Sequence, residues 1–306
     1  MKKRNIIIDT DPGHDDALAI MLADKSGLFD IKALTTVAGN STIENVTKNA
    51  FYILDLLQSN DIPVYSGKAK PLKRPLIQAV VHGKSGLAGA NTANTKFALT
   101  NNAEDKIIEI VKQYKNNITL LTLGPLSNIA RSFLKTPELP TLINEIVMMG
   151  GAINVEGNKS RVAEFNIFVD PEAADIVFKT NTKKVLIPID ICNSMSLSLE
   201  DFEELKNTDL YKPIMSMMKH FIKGIESDEG VKGALVYDAV AAYYLINPSA
   251  FKLEKMDIVI ETKGEYTSGM TVAEKRNSSK KEYNVNVAIS LDKETFKKDF
   301  ITLLNK

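Results

Sequence analysis

Residues 6–23 read IIIDTDPGHDDALAIMLA. Ile6, Ile7 and Ile8 form a short β-branched apolar run of the kind that makes a buried strand. Pro12-Gly13 forces a tight turn. From His14 onward the pattern turns helical, with Asp15 and Asp16 in the first turn, where acidic side chains suit the helix N-terminus. Four carboxylates, those of Asp9, Asp11, Asp15 and Asp16, therefore crowd one strand-turn-helix corner. Capping and turn chemistry accounts for one or two of them. Four together at the end of a buried strand are costly unless a cation sits among them. A hard divalent ion is the natural candidate, since calcium and magnesium take carboxylate oxygen and no His/Cys cluster favours zinc or copper.

The same alternation continues along the chain. Strand-like runs at residues 31–37, 118–123, 146–149 and 185–189 alternate with helical patterns at 43–57, 103–114, 126–134 and 171–178. This predicts an α/β protein, a mostly parallel central sheet flanked by helices. No internal repeat, low-complexity tract or Pro/Ser-rich linker divides the chain, so a single domain is expected over residues 1–306. Two segments break the rhythm. Residues 75–95, with Gly83, Gly86 and Gly89, read as a mobile loop, and residues 211–236 as a helical insertion ending in a glycine-punctuated turn. Both are suited to covering an active site.

Composition narrows the function classes. Hydrophobic residues make up 44% of the chain, enough for a sizeable core. Lys+Arg and Asp+Glu balance at 38 each, so no global field attracts nucleic acid or an anionic membrane, and a small neutral substrate fits better. Cys192 is the single cysteine, which excludes an internal disulfide framework and suits a reducing cytoplasm. The basic start, MKKRNIIIDTD, loses its apolar run after three isoleucines and does not read as a signal peptide. No apolar stretch approaches the length of a membrane span, so a soluble cytoplasmic protein is expected.

In a parallel α/β sheet, ligands bind beyond the carboxyl ends of the strands. The residues there are Asp9 and Asp11, then Gly39-Asn40, Gly124-Pro125 and Gly150-Gly151. Glu164 and Asn166 add a carboxylate and an amide, suited to gripping vicinal hydroxyls, which suggests a sugar. Asp170 before Pro171 reads as a helix N-cap with proline at the first helical position. Asp238 likewise stands near the start of a helical pattern, 239–246, and alone reads as a cap. Together with Asp11 and Asp16 it becomes a metal-ligand candidate.

These motifs resemble those of the nucleoside hydrolases, in particular the inosine-uridine-preferring ribonucleoside hydrolases. The likeness runs through DTDPGHDDA (9–17), TTVAGN (35–40), VHGKSGLAG (81–89), LGPLSNIA (123–130), MMGG (148–151), VAEFNIFVDPEAA (162–174) and TKGEYTSGMTV (262–272). The opening motif is highly specific; the others gain weight from their order and spacing. The resemblance implies one calcium ion, held by the side chains of Asp11, Asp16 and Asp238 and the backbone carbonyl of Leu123, with Asp11 also the general base. It implies that Asp15, Asn40, Asn158, Glu164 and Asn166 hold the ribose, Asn158 and Glu164 nearer its 5′ end and Asp15 and Asn166 nearer the 2′ and 3′ hydroxyls. Water would attack the anomeric carbon through an oxocarbenium-like transition state, releasing ribose and a free base. Homodimers or homotetramers are the family's usual assemblies, and salvage its usual role.

One position departs from the pattern. Where purine-active relatives carry a histidine that protonates the departing base, this chain has Tyr237, which could donate through its phenol or stack on the base. His82, in the VHGKSG loop, matches a base-pocket histidine of the family, whereas His14 stands where the family tolerates many residues and reads as incidental. Tyr237 also keeps open a catalytically silent nucleoside-binding protein, recognisable by tight binding without base release. A magnesium-dependent phosphatase of the haloacid-dehalogenase type is a further alternative. Its nucleophile loop wants Thr or Val two positions after the second Asp, which this turn does not supply, and it would release phosphate rather than reducing sugar.

Overall fold

The computed structural model of the chain describes residues 2–277 and 279–306; Met1 and Ser278, which the expected domain of 1–306 includes, lie outside the described residues. The first half lays down β1 (Arg4–Thr10), α1 (His14–Lys25), β2 (Phe29–Thr36), α2 (Ile43–Leu57), β3 (Val64–Ser66), α3 (Ala103–Tyr114), β4 (Thr119–Thr122), α4 (Ser127–Lys135) and β5 (Glu145–Met149). The second half continues with α5 (Phe165–Val169), α6 (Pro171–Phe178), β6 (Lys184–Ile187), α7 (Ile189–Cys192), β7 (Ser196–Leu197), α8 (Leu199–Glu203), α9 (Tyr211–Glu229), β8 (Ala234–Leu235) and α10 (Tyr237–Ile246). It closes with β9 (Phe251–Met256), β10 (Ile258–Ile260), β11 (Thr271–Ala273), β12 (Val285–Leu291) and α11 (Lys293–Leu304).

Eight strands form one sheet in the order β3-β2-β1-β4-β5-β6-β12-β9. Every neighbouring pair is parallel except β12 and β9, which closes one edge antiparallel. The fully buried inner strands, with apolar runs such as Ile6-Ile7-Ile8, follow from this arrangement, because a parallel sheet covered on both faces buries both faces of each strand. Ile6 and Ile8 of β1 pack on one face, with Ala17 to Ala23 of α1, Ile53 and Leu54 of α2 and most of α10. Ile7 points the other way, into a cluster with Ile107 of α3, Ile129 of α4 and Val177 of α6. Strand, helix and core thus follow from residue type and a period of two.

Two short elements aim residues at the sheet's carboxyl end. The antiparallel β7–β8 pair ties residues 196–197 to 234–235 and so fixes where α10 starts. Residues 67–102 carry no helix or strand, yet they are sewn down along their length. Arg74 makes a two-pronged ion pair with Glu172 and also donates to Ser268 and the Thr262 carbonyl. Asn49 Nδ2 donates to both the Ser85 and Pro12 carbonyls.

Asp170 caps α6 as its place before Pro171 suggests. Its carboxylate accepts from Ala173 N (3.1 Å), Leu72 N (2.8 Å) and Ser127 Oγ (2.6 Å). Asp170→Ala leaves those donors unpaired and is predicted to lower stability by about 1–3 kcal/mol, measured by urea unfolding, while Asp170→Asn, whose NH2 must face at least one of those donors, recovers only part of the loss.

Candidate active site

From β1 the chain steps outward to β2 and β3, then returns to the other side of β1 to lay down β4, β5 and β6. This reversal opens a crevice at the carboxyl ends of β1 and β4, the place where open α/β sheets bind ligands. The register carries the site residues there. Asp9 pairs with Thr35 on one side and Thr122 on the other, and the Leu123 amide donates to the Asp9 carbonyl at 2.8 Å.

Asp11 is the first residue past β1, and its carboxylate lies in a notch between Gly39 and Gly124, where a Cβ on either glycine would collide with it. Its Oδ2 accepts from the Asn40 amide at 2.7 Å, and its Oδ1 is buried without a hydrogen-bond partner. Asp16 folds back from α1 and accepts from Thr10 Oγ1 (2.5 Å), Gly13 N (2.9 Å), Asn40 Nδ2 (3.1 Å) and Asp11 N (3.3 Å). Each of these donors is a short side chain or a turn amide, so the DTDPG turn is folded around the Asp16 carboxylate.

Among the described residues, Asp15, Asp16 and Asp238 bring carboxylate oxygens within 4.8 Å of one another, a cluster that could hold a metal ion. Asp238 reaches it from the first turn of α10, whose N-cap is Val236 with no side-chain capping bond. The cap reading of Asp238 is therefore corrected: it sits inside the helix and faces the other acids. Asp11 is not in that trio, where the sequence had set it with Asp16 and Asp238 and given Asp15 to the ribose. It is near enough, however, for its charge to act on Asp238.

Burial is the largest cause holding all these acids above the ordinary carboxylate range, and for Asp11, Asp15 and Asp238 the charge of neighbouring acids adds to it. Asp11 and Asp15 are raised by burial and then by the charge of Asp16; Asp238 is raised by burial and then by Asp16, Asp15 and Asp11. Asp16 is raised by burial against its many donors. Asp9 is pushed up to about 7 by burial, although Thr35 Oγ1 and Asn128 Nδ2 donate to it at 2.5 and 2.8 Å.

The residues present fit a hard divalent cation. Asp11 Oδ1 and Asp15 Oδ1 are buried oxygens without hydrogen-bond partners, and the clustered donors are all oxygen. Leu123, the expected carbonyl ligand, lines the same cavity. Its oxygen accepts from Asn166 Nδ2 at 2.7 Å, which leaves a second lone pair.

A cavity of about 330 Å³ opens over this cluster. Asp15, Asn40, Asn158, Glu164 and Asn166, the expected sugar-binding set, all line it, as do His82, Tyr237 and Asp238. Asp11 and Asp16 stand behind the lining, bonded to Asn40. Several of these side chains also hold the scaffold, which the sequence did not reveal. Glu164 caps α5, accepting from Asn166 N, Ile167 N and Gly151 N at 2.8 to 3.1 Å. Asn158 Oδ1 accepts from Phe165 N at 2.9 Å. The Tyr237 hydroxyl donates to Asn193 Oδ1 at 2.7 Å.

His14, read as incidental from the sequence, is packed beside this cavity. It is fully buried, stacked against His82 and Phe221, and bonded to the Ala88 carbonyl. Asn193 and Phe221 were missed at the site, whereas Gly39 and Gly124 were placed on its rim though not as the walls of the Asp11 notch. Gly39 and Gly124 had a signal, since each follows a strand-like run; Asn193 and Phe221 had none within their own segments.

Comparison with known proteins finds relatives that match the chain in sequence and in fold. A family model for inosine-uridine preferring nucleoside hydrolases matches residues 6–298. The pyrimidine-specific ribonucleoside hydrolase RihA of Shewanella woodyi is 39% identical over 298 residues, 96% of this chain and 95% of that protein. The protein of the same name in Escherichia coli is 38% identical over 296 residues, 95% of each chain. Among solved structures, a plant nucleoside hydrolase superposes with a TM-score of 0.91 at 29% identity, over 99% of both chains. A purine-preferring ribonucleoside hydrolase from Gardnerella vaginalis does so with a TM-score of 0.92 at 28% identity, over 99% of this chain and 98% of the other.

The notch around Asp11 yields a sharp expectation. Gly124→Ala must displace the Asp11 carboxylate, and a misplacement of about 1 Å can cost about 10²-fold in rate, so kcat is predicted to fall by about that factor with the circular dichroism spectrum unchanged.

Proposed function

The chain belongs to the inosine-uridine preferring nucleoside hydrolase family, and from that premise we propose how its own residues do the work. It is a ribonucleoside hydrolase, which splits the N-glycosidic bond to give ribose and a free base. Membership sets aside the phosphatase reading.

The proposed ion is calcium, held by Asp11, Asp16, Asp238 and the Leu123 carbonyl. The observation that carries this reading is the buried carboxylate cluster at the switch point, with its partnerless oxygens and all-oxygen donor set. When bound, the ion supplies positive charge that makes an attacking water easier to deprotonate and offers the ribose hydroxyls a fixed anchor.

Asp11 acts as the general base, taking a proton from the attacking water. The notch and the Asn40 amide fix its orientation. Asp15 and the Asn40, Asn158 and Asn166 amides hold the ribose hydroxyls, with Glu164 toward the 5′ end. As the glycosidic bond stretches, the surrounding carboxylates and amide oxygens favour positive charge growing on the ribosyl ring. His82 and Tyr237 border the base, with the apolar Phe221 and Ile225 of α9 in the same wall. Because its hydroxyl is already engaged with Asn193, Tyr237 is assigned to holding the base rather than protonating it.

Pyrimidine nucleosides are the proposed preferred substrates. Tyr237 stands where purine-active relatives carry their acid, and the RihA relatives at 38–39% identity are named pyrimidine-specific. The chain is also proposed to work as one domain, with residues 75–95 and 211–236 over the site, in a cytoplasmic homodimer or homotetramer. The lone buried Cys192 suits a reducing compartment, and among the described residues no helix is long and apolar enough to cross a membrane.

A panel of uridine, cytidine and inosine assayed for reducing sugar tests the reading. Pyrimidine nucleosides should turn over faster than inosine, chelation should abolish all activity, and Asp11→Asn should cut kcat by at least about 10²-fold with a smaller effect on KM. Strong selectivity for inosine would overturn the substrate assignment, and full activity after exhaustive chelation would overturn the metal assignment.

A further inference from the structure

A second cavity, of about 850 Å³, lies beside the first and takes no part in the chemistry above. Four side chains line both cavities and therefore stand between them: Asn158, Asp228, Leu235 and Tyr237. Tyr237 is the one aromatic ring of the four, and it is the residue assigned above to holding the base. How firmly that ring is held decides how long a base the first cavity can take.

The ring is held at both ends. Tyr237 is the first residue of α10, whose start the β7–β8 pair fixes, and the Cys192 sulfur at the end of α7 lies 3.9 Å from its carbonyl oxygen. At the other end its hydroxyl donates to Asn193 Oδ1 at 2.7 Å, a good length for an O–H donor. Asn193 is the C-cap of α7, and its own backbone amide donates to the Ile189 carbonyl at 2.9 Å, so the acceptor stands on a fixed backbone. Asn193 lines the second cavity and not the first, so the tether reaches the phenol from the side away from the base. A tyrosine with its backbone and its phenolic oxygen both held cannot swing about χ1. Without the tether the second cavity, with apolar walls at Ile189 and Val231, offers room for the ring to turn and for a longer base to follow it.

We propose that Asn193 is a positioning residue that holds Tyr237 as the end wall of the base site, so that a one-ring pyrimidine is seated and a two-ring purine is turned away by the wall. Selectivity then comes from the length of the site as well as from the lack of a histidine acid. The inference rests on the base lying against Tyr237, as in the reading above. Shape discrimination by a pocket is worth about 10- to 200-fold for a single methylene, so a whole second ring against a fixed wall is ample. The hydrogen bond that keeps the wall in place is worth about tenfold.

Measuring kcat/KM for uridine and inosine side by side on the calcium-loaded enzyme gives the inosine-to-uridine ratio, which reads the wall. Asn193→Leu keeps the side-chain size but cannot accept from the phenol, and Tyr237→Phe keeps the ring but cannot donate. Each should raise the ratio by about tenfold, chiefly through a lower KM for inosine. Because both substitutions cut the same bond, the double variant should go no further than either single one. Asn193→Asp restores an acceptor at the same place and should stay within about twofold of the wild-type ratio. Asn193 is exposed, so its substitution leaves the core intact, and a merely structural asparagine would lower both rates and leave the ratio alone. An unchanged ratio in Asn193→Leu or Tyr237→Phe, additive shifts in the double variant, or an aspartate variant as altered as the leucine one overturns the proposal. A wild type that favours inosine overturns the substrate reading and the wall together. A wild type that favours uridine, with a ratio that stays put in Asn193→Leu, overturns the wall alone.

Discussion

Repulsion among the buried carboxylates of Asp11, Asp15, Asp16 and Asp238 is the constraint that the rest of the site answers. Each is removed from water, and each sits in the field of at least one of the others. Burial and like charge both disfavour ionisation, and a bound divalent cation removes much of both costs. The surrounding chain is arranged to hold the acids in place meanwhile. Thr10 Oγ1, the Gly13 amide and the Asn40 side-chain amide all donate to Asp16, and the Asn40 backbone amide donates to Asp11. Two glycines leave no room for Asp11 to move sideways.

The fold makes this concentration of charge possible by separating its stabilisation from its function. Two apolar cores, one on each face of the parallel sheet, carry the packing, and the crevice where strand order reverses is left for chemistry. The β7–β8 pair then fixes the start of α10, so that Asp238 arrives at the cluster from more than two hundred residues beyond Asp11. Loop residues complete the cavity because Arg74, Asn49 and His14 tie the 67–102 segment to the scaffold.

Most of the architecture was legible in the chain, because an apolar run followed by turn chemistry and an amphipathic pattern reports a strand and a helix locally. The acids of DTDPGHDD announced a site for the same reason: four carboxylates on one corner need no tertiary information to look anomalous. What could not be read was anything set by packing between distant segments. Asp238 taken alone looked like a cap because its neighbours in sequence suit a helix start; it became a ligand candidate only beside Asp11 and Asp16, and the fold turns it toward Asp16. His14 looked incidental because its partners, His82, Ala88 and Phe221, come from two other segments. Glu164 looked like a sugar ligand alone, although its carboxylate also caps α5. The apolar face that α9 turns to the base, through Phe221 and Ile225, likewise appears only when the helix is docked.

The central claim is that this carboxylate cluster is built for one divalent cation, and calorimetric titration of calcium into metal-stripped protein measures it directly. The account predicts saturable binding of a single ion per chain, with Asp238→Asn weakening the affinity by at least about tenfold while the protein stays folded. No saturable binding by the wild type, or an affinity unchanged in Asp238→Asn, would contradict it.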